Sequence, residues 1–292
     1  MPICKEVQQL SQSNNKKISK FSAARILIYI ILIFWAVTTI FPFVWVLNNS
    51  FKPSREVVNS TFSLPKEFTL DNYTNAFGRQ NILVSYKNSF VISGSVTLAV
   101  MILSTMMAFA MTRYNFKGKN IINALIVSSL MFPAFSTIIP VFKMMTGLEL
   151  LNKPLSVIFP QVAGNLSFAT IVMMGFLRGL PLEMEEAAYM EGAGVSKVFT
   201  RIIVPLSRPS MATVAIFCFL WSYNDLFTQL IMIRKRTKFP ISTLLNEISS
   251  RYGTDYGLMA SSVTLIVIPV LIVYIFLQKN IIKGLTAGAV KG

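Results

Sequence analysis

The stretch EAAYMEGAGVSKVFTRIIVP, residues Glu186–Pro205, is a polar segment that separates two long apolar runs of the chain. It begins with Glu-Ala-Ala, and after a gap of three residues comes Gly192, which is followed after a gap of nine residues by Ile202. Just upstream, Pro181 suits the first turn of a helix, and Gly192 permits a sharp change of direction. The pattern therefore predicts a helix–turn–helix over residues 181–205.

The two predicted helices differ in character. The first carries three glutamates near its start, where the helix dipole favours carboxylates. The second is expected to run from Ser196, as its N-cap, to Ile203, because Pro205 disfavours continuation of the helix. The small residues that follow Glu186 let another backbone approach closely, so this segment is a candidate docking surface for a partner.

The composition of the whole chain is that of a membrane protein. Hydrophobic residues make up 53% of the 292 residues and charged residues 13%, against about 25% charged in soluble domains. Six stretches reach the length of about 20 residues that spans a bilayer, and in lipid each must be a helix. They are Ile26–Leu47, Phe90–Met111, Ile121–Met145, Leu155–Leu177, Met211–Ile233 and Leu258–Leu277. The predicted fold class is an all-α integral membrane protein with six transmembrane helices.

The distribution of Lys and Arg favours a cytoplasmic N-terminus. The N-terminal arm, residues 1–25, is basic, and the short loop Thr112–Asn120 adds further cations on the same side. The basic cluster Arg234–Lys238 counts against this orientation. With six spans, the membrane domain covers residues 26–278, and the tail, residues 279–292, is also cytoplasmic. The prediction is a multi-pass protein of a bacterial cell membrane with both termini inside.

The spacing from Glu186 to Pro205 resembles the EAA loop of permease subunits in binding-protein-dependent ABC importers, with Val204 where Leu is usual. Short matches elsewhere, each weak by itself, occur in order along the chain. Together they resemble the sugar-importing permeases of the six-span maltose type. These matches are Asn49–Lys52, Phe68–Tyr73, Lys87–Phe90, Met131–Pro133, Ile139–Pro140, Leu151–Asn152, Phe176–Arg178, Leu180–Pro181 and Asn224–Asp225.

The resemblance implies a set of partners: a second homologous permease, two ATP-binding subunits, an extracytoplasmic sugar-binding protein and membrane lipid. Nucleic acid is not among them. ATP would be bound by the partner subunits, and this chain would hold no cofactor. The resemblance also assigns the ATPase-docking positions to the coupling segment: Glu186, Ala187, Ala188, Gly192, Ile202 and Pro205.

No catalytic constellation is present in the sequence. The chain contains no His, no G-x-x-x-x-G-K-[ST] phosphate loop and no paired carboxylates suited to acid–base chemistry. No metal-ligand pattern stands out. The sequence therefore predicts a protein that is not an enzyme and that depends on partners for ATP hydrolysis.

Polar residues in the fifth predicted span are candidates for a substrate pathway. Trp221, Asn224, Asp225 and Thr228 fall at the i, i+3, i+4 and i+7 positions of one helical face. Asp225 is the one carboxylate well inside a predicted span, and a charge there normally faces a bundle interior or a wet cavity. In the fourth span, a second such face is formed by Gln161, Asn165 and Phe168.

These two faces have alternative interpretations. They line a sugar path, with Trp221 stacking on a sugar ring, or they form hydrogen-bonded helix–helix contacts. Two other functions also fit parts of the sequence: an ion-coupled secondary transporter, and a non-transporting membrane scaffold for an ATPase. The single Asp225 and the absence of His argue against proton coupling in the first of these.

Overall fold

The computed structural model describes residues 23–246 and 255–289, and these ranges contain helices and no strand. Most of the predicted N-terminal arm and the last three residues of the predicted tail lie outside the described residues. The rest of that tail belongs to the last helix, which continues to Ala289. In its described part the chain is thus an all-helical protein, as predicted.

The α-helices follow one another along the chain, most of them with short connections. In order they are α1 (Ala23–Ser50), α2 (Ser54–Asn59), α3 (Asp71–Arg79), α4 (Ile82–Arg113), α5 (Lys119–Ser129), α6 (Ile138–Gly147), α7 (Leu155–Arg178), α8 (Glu183–Met190), α9 (Val195–Val198), α10 (Val204–Leu206), α11 (Arg208–Asn224), α12 (Leu226–Met232) and α13 (Tyr256–Ala289). A π-helical turn, Phe199–Ile203, joins α9 to α10. Short 3₁₀ segments are Ala134–Thr137, Arg236–Lys238 and Ile241–Thr243.

Four helices are long and apolar enough to cross a membrane: α1, α4, α7 and the first part of α13. A fifth candidate is the run Val195–Leu206 together with α11, two pieces that meet at a bend of 73°. The chain is therefore a multi-pass membrane protein with four to five candidate spans by length and composition, fewer than the six predicted from the sequence.

The third predicted span, Ile121–Met145, is not a single helix. Helix α5 ends at Ser129, and α6 begins at Ile138 after an irregular turn and a 3₁₀ segment. Pro133 explains the break, because it lacks an N–H and disfavours helical backbone at Phe132. The fifth predicted span, Met211–Ile233, is likewise interrupted.

The core lies where α4, α7 and α11 pack together. Its fully buried side chains include Val96 and Val100 from α4, Met173 and Leu177 from α7, and Val214 from α11. Helix α13 packs against α11 on one side and α1 on the other. Most apolar side chains of α1 are exposed in the isolated chain, as expected for a helix that meets lipid or another subunit.

A close contact fastens the end of α1 to the start of α13. The Asn72 side-chain amide donates to the Ser50 and Lys52 carbonyl oxygens, at 2.9 and 2.7 Å. Gly257 lies against the same group, and a Cβ there would come within 2.6 Å of the Lys52 carbonyl oxygen. Only glycine fits at this position without a shift of the backbone.

Candidate functional site

A cavity of about 880 Å³ opens between the broken helices and α7. Its walls come from the end of α5, the α5–α6 connection, the middle of α7 and the region where α11 meets α12. Six of the seven residues predicted for the two candidate faces line it, all except Phe168: Gln161, Asn165, Trp221, Asn224, Asp225 and Thr228. Two faces that the sequence placed on separate spans therefore meet at one cavity.

Asp225 interrupts the fifth predicted span. Its backbone, with φ −76° and ψ 74°, is not helical, and its Oδ1 accepts a hydrogen bond from the Thr228 N–H at 3.1 Å. The carboxylate thus caps α12, so α11 ends at Asn224. The prediction of one continuous helical face was wrong: Trp221 and Asn224 belong to α11, and Thr228 belongs to α12.

A chain of buried hydrogen bonds runs from Asp225 into the bundle. Gln161 Nε2 donates to Asp225 Oδ2 at 2.9 Å, and the Ser222 hydroxyl donates to Gln161 Oε1 at 2.6 Å. Gln229 Nε2 donates to the Ser222 carbonyl oxygen at 2.8 Å, and the Ser242 hydroxyl donates to Gln229 Oε1. Because each partner is satisfied by the next, the network holds the carboxylate in a fixed position.

Aromatic rings form the apolar part of the cavity surroundings. Trp221 is 47% exposed, and its ring lies 4.9 Å from that of Phe168 and 5.9 Å from that of Phe217. Across the two helix breaks, Phe135 and Phe227 meet edge to face at 4.9 Å. Among the residues that line the cavity, Asp225 is the one charged side chain. The cavity thus combines exposed aromatic rings with amide and hydroxyl groups.

The segment predicted to dock a partner lies at the far end of α7 and begins with α8. Glu186, Ala187 and Gly192 are exposed. Gly192 has φ +79°, and the Ala193 N–H donates to the Ala188 carbonyl oxygen at 2.9 Å, which closes the turn after the helix. A glycine is the residue best suited to this left-handed backbone.

The remaining predicted docking positions are less accessible. Ala188, Ile202 and Pro205 are half-buried, and the first two pack against the hydrophobic core. The second helix also differs from its prediction. It begins after Gly194 rather than at Ser196, and it continues through Pro205 to Leu206. The π-helical turn before Val204 changes the hydrogen-bond register, so a proline without an N–H is tolerated there.

The structure adds a contact that the sequence did not indicate. Arg113 Nε, at the end of α4, lies 2.6 Å from Glu185 Oε1 in α8, and both side chains are almost buried. A hydrogen bond with Tyr114, which follows α4, raises the pKa of Tyr189 in α8 to about 12. The salt bridge that connects the docking segment to α4 is therefore made by Glu185, and not by the neighbouring Glu186 of the predicted motif. No spacing rule could have matched two residues so far apart in the chain.

Known proteins with similar sequences are membrane components of transport systems. The model for binding-protein-dependent transport system inner membrane components matches residues 100–287. The diacetylchitobiose uptake system permease protein NgcG of Streptomyces coelicolor is 34% identical, covering 88% of this chain and 86% of that protein. The arabinooligosaccharides transport system permease protein AraQ of Bacillus subtilis is 31% identical, covering 94% and 98%.

A solved structure has the same fold. A bacterial ABC transporter involved in the import of alginate matches with a TM-score of 0.78 at 21% identity, covering 89% of this chain and 99% of the matched chain. The chain belongs to the family of binding-protein-dependent transport system inner membrane components. The family predicted from the sequence is confirmed, and its members are transport components rather than enzymes.

Proposed function

We propose that this chain is a permease subunit of an ATP-driven sugar importer, in which it forms half of the translocation path. The observation that carries the proposal is the convergence of the polar and aromatic candidates on one cavity at two helix breaks. Irregular backbone at membrane depth is tolerated where it lines a cavity, and discontinuous helices build many transporter sites.

The chemistry of the cavity suits a sugar. An exposed ring such as Trp221 offers a flat apolar surface for the C–H face of a sugar ring. Asn165, Asn224 and Thr228 supply donors and acceptors for hydroxyl groups. Several relatives carry names of oligosaccharide or disaccharide systems, including trehalose and galactooligosaccharides, which supports a carbohydrate substrate here.

The remaining subunits follow from the family. A bacterial alginate ABC transporter has been solved in complex with an alginate pentasaccharide-bound periplasmic protein. A chain of that structure matches the present chain with a TM-score of 0.65. By analogy, this chain would work with an extracytoplasmic sugar-binding protein, a second homologous permease and two ATP-binding subunits. ATP would bind to those subunits, and this chain would carry no cofactor of its own.

In this assignment, the segment from α8 to α10 is the coupling loop. Glu186, Ala187 and Gly192 present the exposed docking surface to an ATPase subunit, while half-buried Ala188, Ile202 and Pro205 support it from behind. The Glu185–Arg113 salt bridge would pass a displacement of the loop on to α4, which packs along α7 and α11. ATP and the loaded binding protein would drive the switch by favouring different states.

The proposed topology has six membrane crossings and cytoplasmic termini. Helices α5 and α6 together would form the third crossing, and α11 and α12 the fifth, each interrupted beside the cavity. This arrangement places the coupling loop on the ATP side of the membrane. The basic residues that follow α12 would then lie outside.

Reconstitution tests the proposed function. The chain, purified with its co-eluting permease and ATPase subunits and inserted into vesicles, should take up sugar only with ATP and binding protein present. Uptake that persists when ionophores collapse ion gradients at constant ATP would exclude an ion-coupled transporter. ATP hydrolysis that never responds to loaded binding protein would instead favour a non-transporting scaffold.

A further inference from the structure

Five exposed cationic side chains are carried beyond the cavity by segments that contact one another, and we call them the basic collar. Lys143 is on α6, and Lys153 lies in the connection from α6 to α7. The other three follow the end of α12: Arg234, Lys235 and Lys238.

Backbone contacts hold the collar together. Asn152 Oδ1 accepts hydrogen bonds from the backbone N–H groups of Arg234 and Lys235, at 2.7 and 2.9 Å. The Asn152 N–H in turn donates to the Met232 carbonyl oxygen at 2.9 Å. The guanidinium carbon of Arg234 lies 5.1 Å from the centre of the Phe142 ring on α6. The cations are therefore carried on a single joined framework, although they come from separate segments.

In the proposed topology, the framework lies on the outer side of the cavity. Ile138 and Val141 of α6 line the cavity, and Lys143 follows two residues later. Helix α12 begins at the cavity and ends just before Arg234, a rise of about 10 Å for its seven residues. The collar and the coupling loop lie beyond opposite ends of α7. A molecule that approaches the cavity from outside would pass the collar.

The charge of the collar is largely uncompensated. Within the described ranges, Lys143, Lys153, Arg234 and Lys235 form no salt bridge. Extracytoplasmic loops of membrane proteins are normally poor in Lys and Arg. A cationic cluster that departs from this bias, fixed beside the entrance to the path, points to an interaction with something acidic on the outer side.

We propose that the basic collar is an electrostatic docking surface for an acidic face of the extracytoplasmic sugar-binding protein. This inference rests on the proposed function. Complementary charge speeds encounter and fixes orientation, and it acts at the position where a docked protein must release its sugar into the cavity. An anionic sugar is a less suitable ligand for the collar, because it would then be repelled by Asp225, the carboxylate that lines the cavity.

The experiment uses the complete complex in nanodiscs of neutral lipid. Its probe is the sugar-loaded binding protein that stimulates ATP hydrolysis by the unmodified complex. The variant is Lys153→Glu with Lys235→Glu. The control is Arg55→Glu with Lys87→Glu, two exposed cations outside the collar with the same total change of charge. ATP hydrolysis is measured against binding-protein concentration at low and high salt.

We expect the collar variant to raise the half-saturating concentration at least about fivefold at low salt, with an unchanged maximal rate. The difference should shrink at high salt, where charges are screened. An equal shift in the control variant, or no shift in the collar variant, would overturn the inference and leave the proposed function standing. A shift that appears only when anionic lipid is added would assign the collar to lipid headgroups. No stimulation of the unmodified complex by any loaded binding protein would instead refute the proposed function.

Discussion

Arg113 at the end of α4 and Glu185 in α8 form an almost buried ion pair, with 2.6 Å between Nε and Oε1. It joins the proposed coupling loop to a helix of the core, and α4 packs against α7 and α11, which both contribute residues to the cavity. The neighbouring Glu186 points to solvent instead. Two adjacent glutamates thus differ in their surroundings: Glu185 is paired inside the protein, and Glu186 is exposed, as the proposed docking of a partner requires.

The Glu185–Arg113 pair should contribute to stability as well as to coupling. Glu185→Ala should destabilise the chain by about 3 kcal/mol, because it leaves a nearly buried guanidinium without its partner. The melting temperature of the detergent-solubilised complex measures this effect, with exposed Glu183→Ala as the control. The double variant Arg113→Met/Glu185→Leu should recover most of the stability and still uncouple ATP hydrolysis from transport. Full coupling in the double variant would contradict the proposed transmission through this pair.

Variants in the proposed docking surface should lose the ATPase subunit from the complex while the membrane protein itself stays intact. Gly192→Pro should abolish uptake, because proline cannot adopt the φ of +79° found at this turn. Glu186→Arg should have the same effect by reversing an exposed charge. Both proteins should insert normally in the membrane. Co-purification of the ATPase subunit is the measurement, with Gly194→Ala as the control, since that glycine has an ordinary φ of −75°. Normal recovery of the ATPase with both variants would refute the assignment.

Trp221 should set the apparent affinity for sugar. Trp221→Ala should raise the half-saturating sugar concentration about fivefold, since a stacking contact of this kind is worth about 1 kcal/mol. Trp35→Ala is the control, because Trp35 is exposed on α1 away from the cavity. Sugar-dependent ATP hydrolysis and melting temperature are measured together. A loss of stability with unchanged sugar dependence would reassign the Trp221 face to helix packing.

Asp225→Asn should fold and assemble. The amide oxygen can still accept from the Thr228 N–H, so the cap of α12 survives the change. Asp225→Leu should lose both the cap and the bond from Gln161, and its melting temperature should fall by several degrees. If Asp225→Asn melts as early as Asp225→Leu, the negative charge itself is required for the structure, contrary to this expectation.

The topology can be tested by labelling single cysteines with a membrane-impermeant maleimide, in a background without Cys4 and Cys218. Exposed Lys66 and Thr237, replaced by cysteine, should react in intact cells. Exposed Lys117 and Thr200 should react only after permeabilisation. Labelling of Thr200→Cys in intact cells would place the coupling loop outside and contradict the proposed orientation.

Much of this architecture was accessible from residue type and spacing. The polar stretch from Glu186 predicted the family, and the exposed glycine turn lies where its spacing placed it. Polar residues within apolar runs led to the cavity-lining set, including Gln161 and Trp221. These signals are local or periodic, so a single sequence carries them.

The helix breaks and the long-range pairs were not accessible in the same way. A hydropathy profile does not show that the third predicted span is interrupted at Pro133. It also does not show that the Asp225 carboxylate caps a new helix within the fifth. The partner of Glu185 depends on how α4 and α8 meet in space, which no spacing rule contains. In each case, competition for backbone or side-chain hydrogen bonds decides the outcome.

The lack of space at Gly257 has a consequence for motion. The Lys52 carbonyl oxygen lies only 2.6 Å from where a Cβ at position 257 would stand, and the Asn72 side chain donates to the carbonyl oxygens of Ser50 and Lys52. The end of α1 and the start of α13 therefore have little room to slide past each other. We expect these helices to move as one rigid frame during the transport cycle. The flexing that alternating access requires would then concentrate at the interruptions after α5 and α11, where no continuous helical ladder has to be broken.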